Sequence, residues 1–321
     1  MFAVPSVSWL ASADMSPGAA IRARAGLLAV SAGALLWGTT GVAVRIIADR
    51  SSLTAVPIGC YRLIVAAVAL GLVFGRTAVP RTRAAWRQHR WSLVAAGAGL
   101  GIYQALYFVG VQDVGVSVST LVSLAVAPVT LTIAGAVRAR RRPSMTASAT
   151  VSCAVGGLAL ISFAHSTASA SAPHPVIGIV ASLGSGLGYA ATTVLNRRLA
   201  ADGDPLFLTA ATSGIGALVL LPVALPVGMG LPADGIANGW LLYIGIVPTV
   251  IAYGLFYAGL RSTSSEVAGV LTLIEPLTAT LLAALTLHEA LSTGAWVGAA
   301  LLLVAIAALY VRAPEPEAAA L

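Results

Sequence analysis

From residue 25 onward the chain is one apolar segment after another, each about as long as a bilayer crossing. The segments fall near 25–48, 55–75, 91–111, 115–137, 147–164, 175–195, 206–229, 239–260, 266–287 and 293–311. A helix rises about 1.5 Å per residue, so about 20 apolar residues span a hydrocarbon core of about 30 Å. Lipid offers the backbone no hydrogen bonds, which leaves helices and closed barrels as the spanning structures, and segments of this length read as helices. The expectation is an all-α membrane protein with ten transmembrane helices and no soluble domain between them. The first twenty residues, MFAVPSVSWLASADMSPGAA, lack the basic start and compact apolar core of a signal peptide. They read as a tail, within which Met15 is an alternative start.

Composition agrees. The chain is 58% hydrophobic and 9% charged, against about 25% charged in a soluble domain. All 18 basic side chains are arginine. They sit in short links between apolar spans, which argues for setting orientation in a bilayer rather than binding nucleic acid. With a cytoplasmic amino terminus, the inside set is Arg22, Arg24, Arg76, Arg81, Arg83, Arg87, Arg90, Arg138, Arg140, Arg141, Arg142, Arg197, Arg198, Arg261 and Arg312. Outside remain Arg45 and Arg50, while Arg62 lies within a span. That bias places both termini, residues 1–24 and 312–321, in the cytoplasm of a multi-pass cell-membrane protein. Cys60 and Cys153 fall inside spans and read as small buried hydrophobes rather than a disulfide or metal pair.

The two halves resemble each other. LLWGTTGVAVR at 35–45 aligns with LGYAATTVLNR at 187–197, placing Trp37 opposite Tyr189. LYFVGVQDVGVSVSTLVSLAVAP at 106–128 aligns with LFYAGLRSTSSEVAGVLTLIEP at 255–276 across a one-residue gap, pairing Pro128 with Pro276. Five helices per half is an odd number, so the second copy, 175–311, is expected upside down relative to the first, 25–164. The charges agree: Arg140 and Arg141 in one copy correspond to His288 and Glu289 in the other.

The tryptophan–glycine pair of the first span, the arginine in PIGCYRLIVAAVAL, and the proline, apolar helix and acidic turn of LIEPLTATLLAALTLHEAL together resemble the EamA-type transporters of the drug/metabolite transporter superfamily. The resemblance runs from about 25 to 311 in two repeats. It implies ten helices in two inverted five-helix repeats and a secondary transporter that exports a small metabolite, such as an amino acid or related solute, or a drug, with proton exchange as a coupling route. In the first repeat RARRRPS stands where the family commonly has an acidic residue. Glu289 therefore reads as a helix-end residue.

The candidate site follows from what is costly in lipid. Glu275 lies near the middle of the 266–287 span and is followed by Pro276. A charge at the bilayer centre costs about 3 kcal/mol on insertion scales, and proline denies the carbonyl of Thr272 its helical partner. Such a helix is expected to face protein or water. The alternative for Glu275 is a hydrogen bond that fixes packing. Arg62 is either substrate-facing or snorkels to the outer interface. Trp37, Tyr103, Tyr107, Tyr189, Tyr253 and Tyr257 lie well inside spans, away from the interfaces where such rings usually anchor. They line a cavity or pack helices. Of these, Trp37, Arg62, Tyr103, Tyr107, Tyr253, Tyr257 and Glu275 are assigned to a substrate pathway, and Pro128 and Pro276 to paired helix breaks at a central site.

Other classes fit poorly. No metal or cofactor is expected, because the four histidines form no cluster with acids or cysteines. An ATP-driven pump needs a Walker lysine, and the chain has no lysine. An uptake permease, an uncoupled channel and a membrane enzyme remain as alternatives. The expected partners are a small solute, protons and lipid.

Overall fold

Every element among the described residues is a helix, as a backbone surrounded by hydrocarbon requires. The structure, a computed structural model, describes residues 17–77, 79–164, 174–286 and 291–311. Met15, the loop 165–173, His288, Glu289 and Arg312 lie outside the described residues, as do the side chains of Arg76, Arg81 and Arg83.

In chain order the elements are α1 (Pro17–Gly38), α2 (Thr40–Asp49), α3 (Ala55–Thr77), α4 (Val79–Arg138), α5 (Met145–Ala164), α6 (Pro175–Asp202), α7 (Pro205–Ala224), α8 (Gly235–Gly245), α9 (Ala252–Leu260), α10 (Ser265–Leu271), α11 (Ile274–Thr286) and α12 (Thr293–Val311). Their ends carry local signals. Asp204 and Asp234 accept the backbone N–H of Phe207 and Ile236 at 2.9 and 2.7 Å, capping α7 and α8. Pro175 and Pro205 stand at helix starts, where a missing N–H costs nothing. The first helix starts at Pro17, ahead of the expected 25, and so carries Arg22 and Arg24 on its first turns. Ser262 Oγ donates to the carbonyl of Arg22 at 2.9 Å, which ties this early part to the bundle.

Nine of the described helical stretches are long and apolar enough to cross a membrane. One of them, Trp86–Arg138, has 53 residues, about 80 Å if straight. It is not straight. Gly115 has φ 81° and ψ 164°, a conformation open to glycine, and the chain folds back there. Tyr107 and Thr120 hydroxyls meet at 2.8 Å and Ser119 Oγ donates to the Tyr107 carbonyl at 3.3 Å. Thirteen residues of straight helix would hold such groups about 20 Å apart.

Packing repeats across the halves. α1 lies against α9 and α11, while α6 lies against both arms of α4; α3 meets α7, and α5 meets α12. Small residues allow the approach. A Cβ on Gly186 would stand 2.5 Å from the Ser123 carbonyl oxygen, and one on Gly38 would stand 2.8 Å from that of Glu275.

The two ends of the bundle differ in charge. At one end Arg197 Nε donates to the Thr263 carbonyl at 3.1 Å, and Arg261 donates to the carbonyls of Ala200 and Gly203 at 3.1 and 2.7 Å. Arg22, Arg198 and Arg138 share that end. At the other, Arg50 pairs with Asp234 at 3.4 Å, His174 meets Asp113 at 3.3 Å and Tyr61 donates to the Met229 carbonyl at 2.5 Å.

Candidate functional site

The span expected at 266–287 is interrupted. α10 ends at Leu271, Thr272 and Leu273 form a turn, and α11 begins at Ile274. Glu275 and Pro276 therefore sit in the first turn of α11, where a proline is tolerated and the helix dipole favours a carboxylate. The Thr272 carbonyl is not left unpaired as expected: it accepts the Glu275 N–H at 3.0 Å, and the Val270 carbonyl accepts the Leu273 N–H at 3.1 Å. Tight i to i+3 bonds thus absorb the missing donor. Pro128 differs from its counterpart, since helix continues through it in the second arm of α4. Only one of the two expected breaks interrupts a helix. Pro128 itself packs against α10, since a Cβ on Gly269 would lie 3.5 Å from Pro128 Cα.

Around the interruption the fold gathers polar and aromatic groups from both halves. Trp37, in the last turn of α1, is 6% exposed. Its ring meets Tyr253 edge-on at 4.9 Å and Phe256 at 5.2 Å. Tyr103 and Tyr253 bring their hydroxyls within 3.3 Å of each other. Tyr103 also stands perpendicular to Tyr189, with centroids 5.5 Å apart. The Tyr189 hydroxyl is buried and faces Thr193 and Thr272 without closing a hydrogen bond of ordinary geometry to either. Sequence alignment set Trp37 opposite Tyr189; in space each ring pairs with a tyrosine of the opposite half, Trp37 with Tyr253 and Tyr189 with Tyr103.

Arg62 on α3 donates from Nη2 to Gln104 Oε1 at 2.7 Å. Gln104 is 5% exposed and its own Nε2 donates to the Leu100 carbonyl at 3.4 Å. The amide therefore fixes one side of the guanidinium, while Arg62 Nε is buried without a partner among the described residues. Arg62 makes no ion pair with Glu275 among the described residues, but the two are close enough to interact electrostatically. Glu275 is likewise within electrostatic range of Tyr107, Tyr189 and Tyr253.

Two residues assigned to the pathway also bond to groups outside this cluster. Tyr107 spends its hydroxyl on Thr120 across the α4 fold-back. Tyr257 is 1% exposed and meets Thr212 Oγ1 at 3.1 Å, which places it in the α7–α9 contact. Sequence reasoning missed Gln104 and the turn before Tyr253. Gln104 had a signal, a lone amide beside Tyr103 in an apolar span. The turn had one too: Pro248 lies within Ile246–Ile251, which is π-helix, and Thr249 Oγ1 donates to the Ile244 carbonyl at 2.7 Å. A π turn rotates the helix that follows, and with it Tyr253 and Tyr257; such turns recur at functional sites. No group of three or more His, Cys, Asp or Glu able to hold a metal occurs among the described residues.

Comparison with known proteins gives the family. Residues 24–163 and 176–311 each match the EamA-like transporter family. The chain is 31% identical over 277 residues to the uncharacterized transporter YwfM of Bacillus subtilis, covering 85% of this chain and 89% of that one. It is 31% identical over 131 residues to an uncharacterized transporter of Archaeoglobus fulgidus, covering 40% and 46%. A protein of known crystal structure superposes with a TM-score of 0.71 at 20% identity, covering 95% of this chain and all of that one. That last likeness concerns the fold.

Proposed function

The chain belongs to the EamA-like transporter family, and on that footing we propose that this membrane transporter is a secondary exporter of a small metabolite or drug, coupled to proton exchange through Glu275. The solute class favoured is an amino acid or a related compound. It works from ten crossings in two inverted five-helix repeats, 25–164 and 175–311, with both termini in the cytoplasm of the cell membrane. The fold-back at Gly115, which divides the 53-residue stretch, supports the count. The placement of α1 against α9 and α11, matched by α6 against the arms of α4, supports the repeat. The arginine-rich end supports the orientation.

One observation carries the mechanism. A carboxylate sits in the first turn of an interrupted helix, beside Arg62 and the Tyr103–Tyr253 pair drawn from both halves. An ionisable group within a span marks an ion or substrate path. Glu275 takes a proton on one face of the membrane and gives it up on the other, and rocking of the halves moves the site between faces. Arg62, held by Gln104, keeps a positive charge facing it throughout.

The test uses purified protein in proteoliposomes. A thermal-shift screen against amino acids, nucleobases, sugars and lipophilic cations supplies the solute, because a ligand bound by the folded form raises its melting temperature. An imposed proton gradient should then drive accumulation of that solute against its own gradient, which a channel cannot do. Glu275→Gln keeps the shape and removes the titration. It should lower gradient-driven flux more than about tenfold while the protein still folds. Unchanged, pH-dependent flux in that variant would leave Glu275 as a packing residue.

A further inference from the structure

Two donors at the site lack an acceptor among the described residues. Trp37 Nε1 and Arg62 Nε are buried and make no hydrogen bond among the described residues. Both are near the Tyr103–Tyr253 hydroxyl pair: the Trp37 ring is 4.9 Å from that of Tyr253, and Arg62 acts electrostatically on both phenols. Buried polar groups in folded proteins nearly always find partners, so each orphan calls for a physical account. An indole N–H and a guanidinium N–H donate and never accept. Beside them the unpaired Tyr189 hydroxyl can donate as well, and a guanidinium edge without a partner favours an anionic acceptor with two oxygens.

We propose that Arg62 and Trp37 form a head-group subsite for the carboxylate of an amphipathic organic acid, whose flat apolar tail lies among Tyr103, Tyr189 and Tyr253. The proposal rests on the transporter reading and adds the chemistry of the solute's polar end. Gln104 acts as the positioning residue. By holding Nη2 at 2.7 Å it fixes the plane of the guanidinium and leaves the Nε edge for the ligand. A protonated amine offers no acceptor to either donor and is repelled by Arg62. The ring pairs at 4.9 and 5.5 Å supply an aromatic frame for the tail, in the edge-to-face contacts that such rings favour.

The test needs probes that share a tail and differ in the head: 3-phenylpropionate, 3-phenylpropionamide and 3-phenylpropylamine. Each is titrated into the purified full-length protein in detergent, with melting temperature and tryptophan fluorescence as readouts. The carboxylate should bind at least about tenfold tighter than the amine, as expected of a charge-assisted hydrogen bond, with the amide between them. Arg62→Gln should lose that preference. Trp37→Phe keeps a ring against Tyr253 and removes the donor; it should weaken carboxylate binding about threefold to tenfold, and it gives an independent answer if Arg62→Gln does not fold. Binding of the amine as tight as that of the carboxylate, stabilisation by none of the three, or undiminished carboxylate binding in Trp37→Phe would overturn the subsite. Glu275→Gln separates the two readings. Carboxylate binding retained there without proton-driven flux for any solute in the wild type would defeat the transport mechanism and leave the subsite standing. Proton-driven flux of an amine that binds as well as the acid would do the reverse.

Discussion

Adding one methyl group at Gly38 tests whether the site depends on close approach of α1 to α11. A Cβ there would lie 2.5 Å from Thr278 Cβ and 2.8 Å from the Glu275 carbonyl oxygen. Carbon atoms rest at about 3.5–4.0 Å, so the two helices must part by about 1 Å. Overpacking of this kind costs about 1–3 kcal/mol, offset by about 0.5–1 kcal/mol because alanine is the better helix residue. The net loss for Gly38→Ala is about 1–2 kcal/mol, equivalent to a melting temperature lowered by about 1.5–3 °C at about 2.1 cal/mol/K of unfolding entropy per residue over 321 residues. Trp37 is the adjacent residue, so its ring retreats from Tyr253 and flux should fall with stability. Gly71→Ala is the control. Gly71 lies inside α3, where an added methyl would meet nothing within 4 Å, and the same exchange there should be neutral or stabilising by up to about 1 kcal/mol. Both variants are melted by intrinsic fluorescence in the same detergent. If Gly38→Ala melts at or above wild type, the α1–α11 contact is not tight and the placement of Trp37 over the site is wrong.

Replacing Pro276 by alanine restores a donor at the interruption and should lower flux sharply while the protein still folds, whereas Pro128→Ala, in an uninterrupted helix, should change flux less; wild-type flux in Pro276→Ala would dismiss the interruption as part of the site. For orientation, single cysteines introduced as Ala84→Cys and Ala168→Cys, in a background lacking Cys60 and Cys153, should be labelled in intact cells at 168 and not at 84. Labelling at 84 from outside would invert the arginine argument. At the other end of the bundle, the Ile236 backbone N–H and then Arg50 hold the Asp234 carboxyl below its ordinary value. Its contribution is present above the unfolded value and is lost as pH falls through the lower, folded one. On acidification from about pH 5 through that window, wild type should lose melting temperature more steeply than Asp234→Asn, which keeps the cap but cannot titrate; parallel curves would show that the carboxyl contributes nothing.

The all-helical, membrane-spanning character of the chain was legible in the sequence, because it follows from each apolar segment meeting lipid on its own. Glu275 drew notice for the same reason: a carboxylate within an apolar span is conspicuous whatever surrounds it. The partners were not legible. Spans such as α12 are apolar on every side, so periodicity names no buried face, and shape alone decides which helices meet. That is why Gln104 as the holder of Arg62, and the crosswise pairing of Trp37 with Tyr253 and of Tyr189 with Tyr103, emerged only from the packed bundle. The prolines make the same point. Aligned residues gave Pro128 and Pro276 equal standing, yet one helix runs on and the other divides at Thr272–Leu273. A missing N–H is a local fact written in the sequence; whether the helix bends through it or breaks depends on the neighbours that hold the freed backbone, and those are set by the tertiary structure.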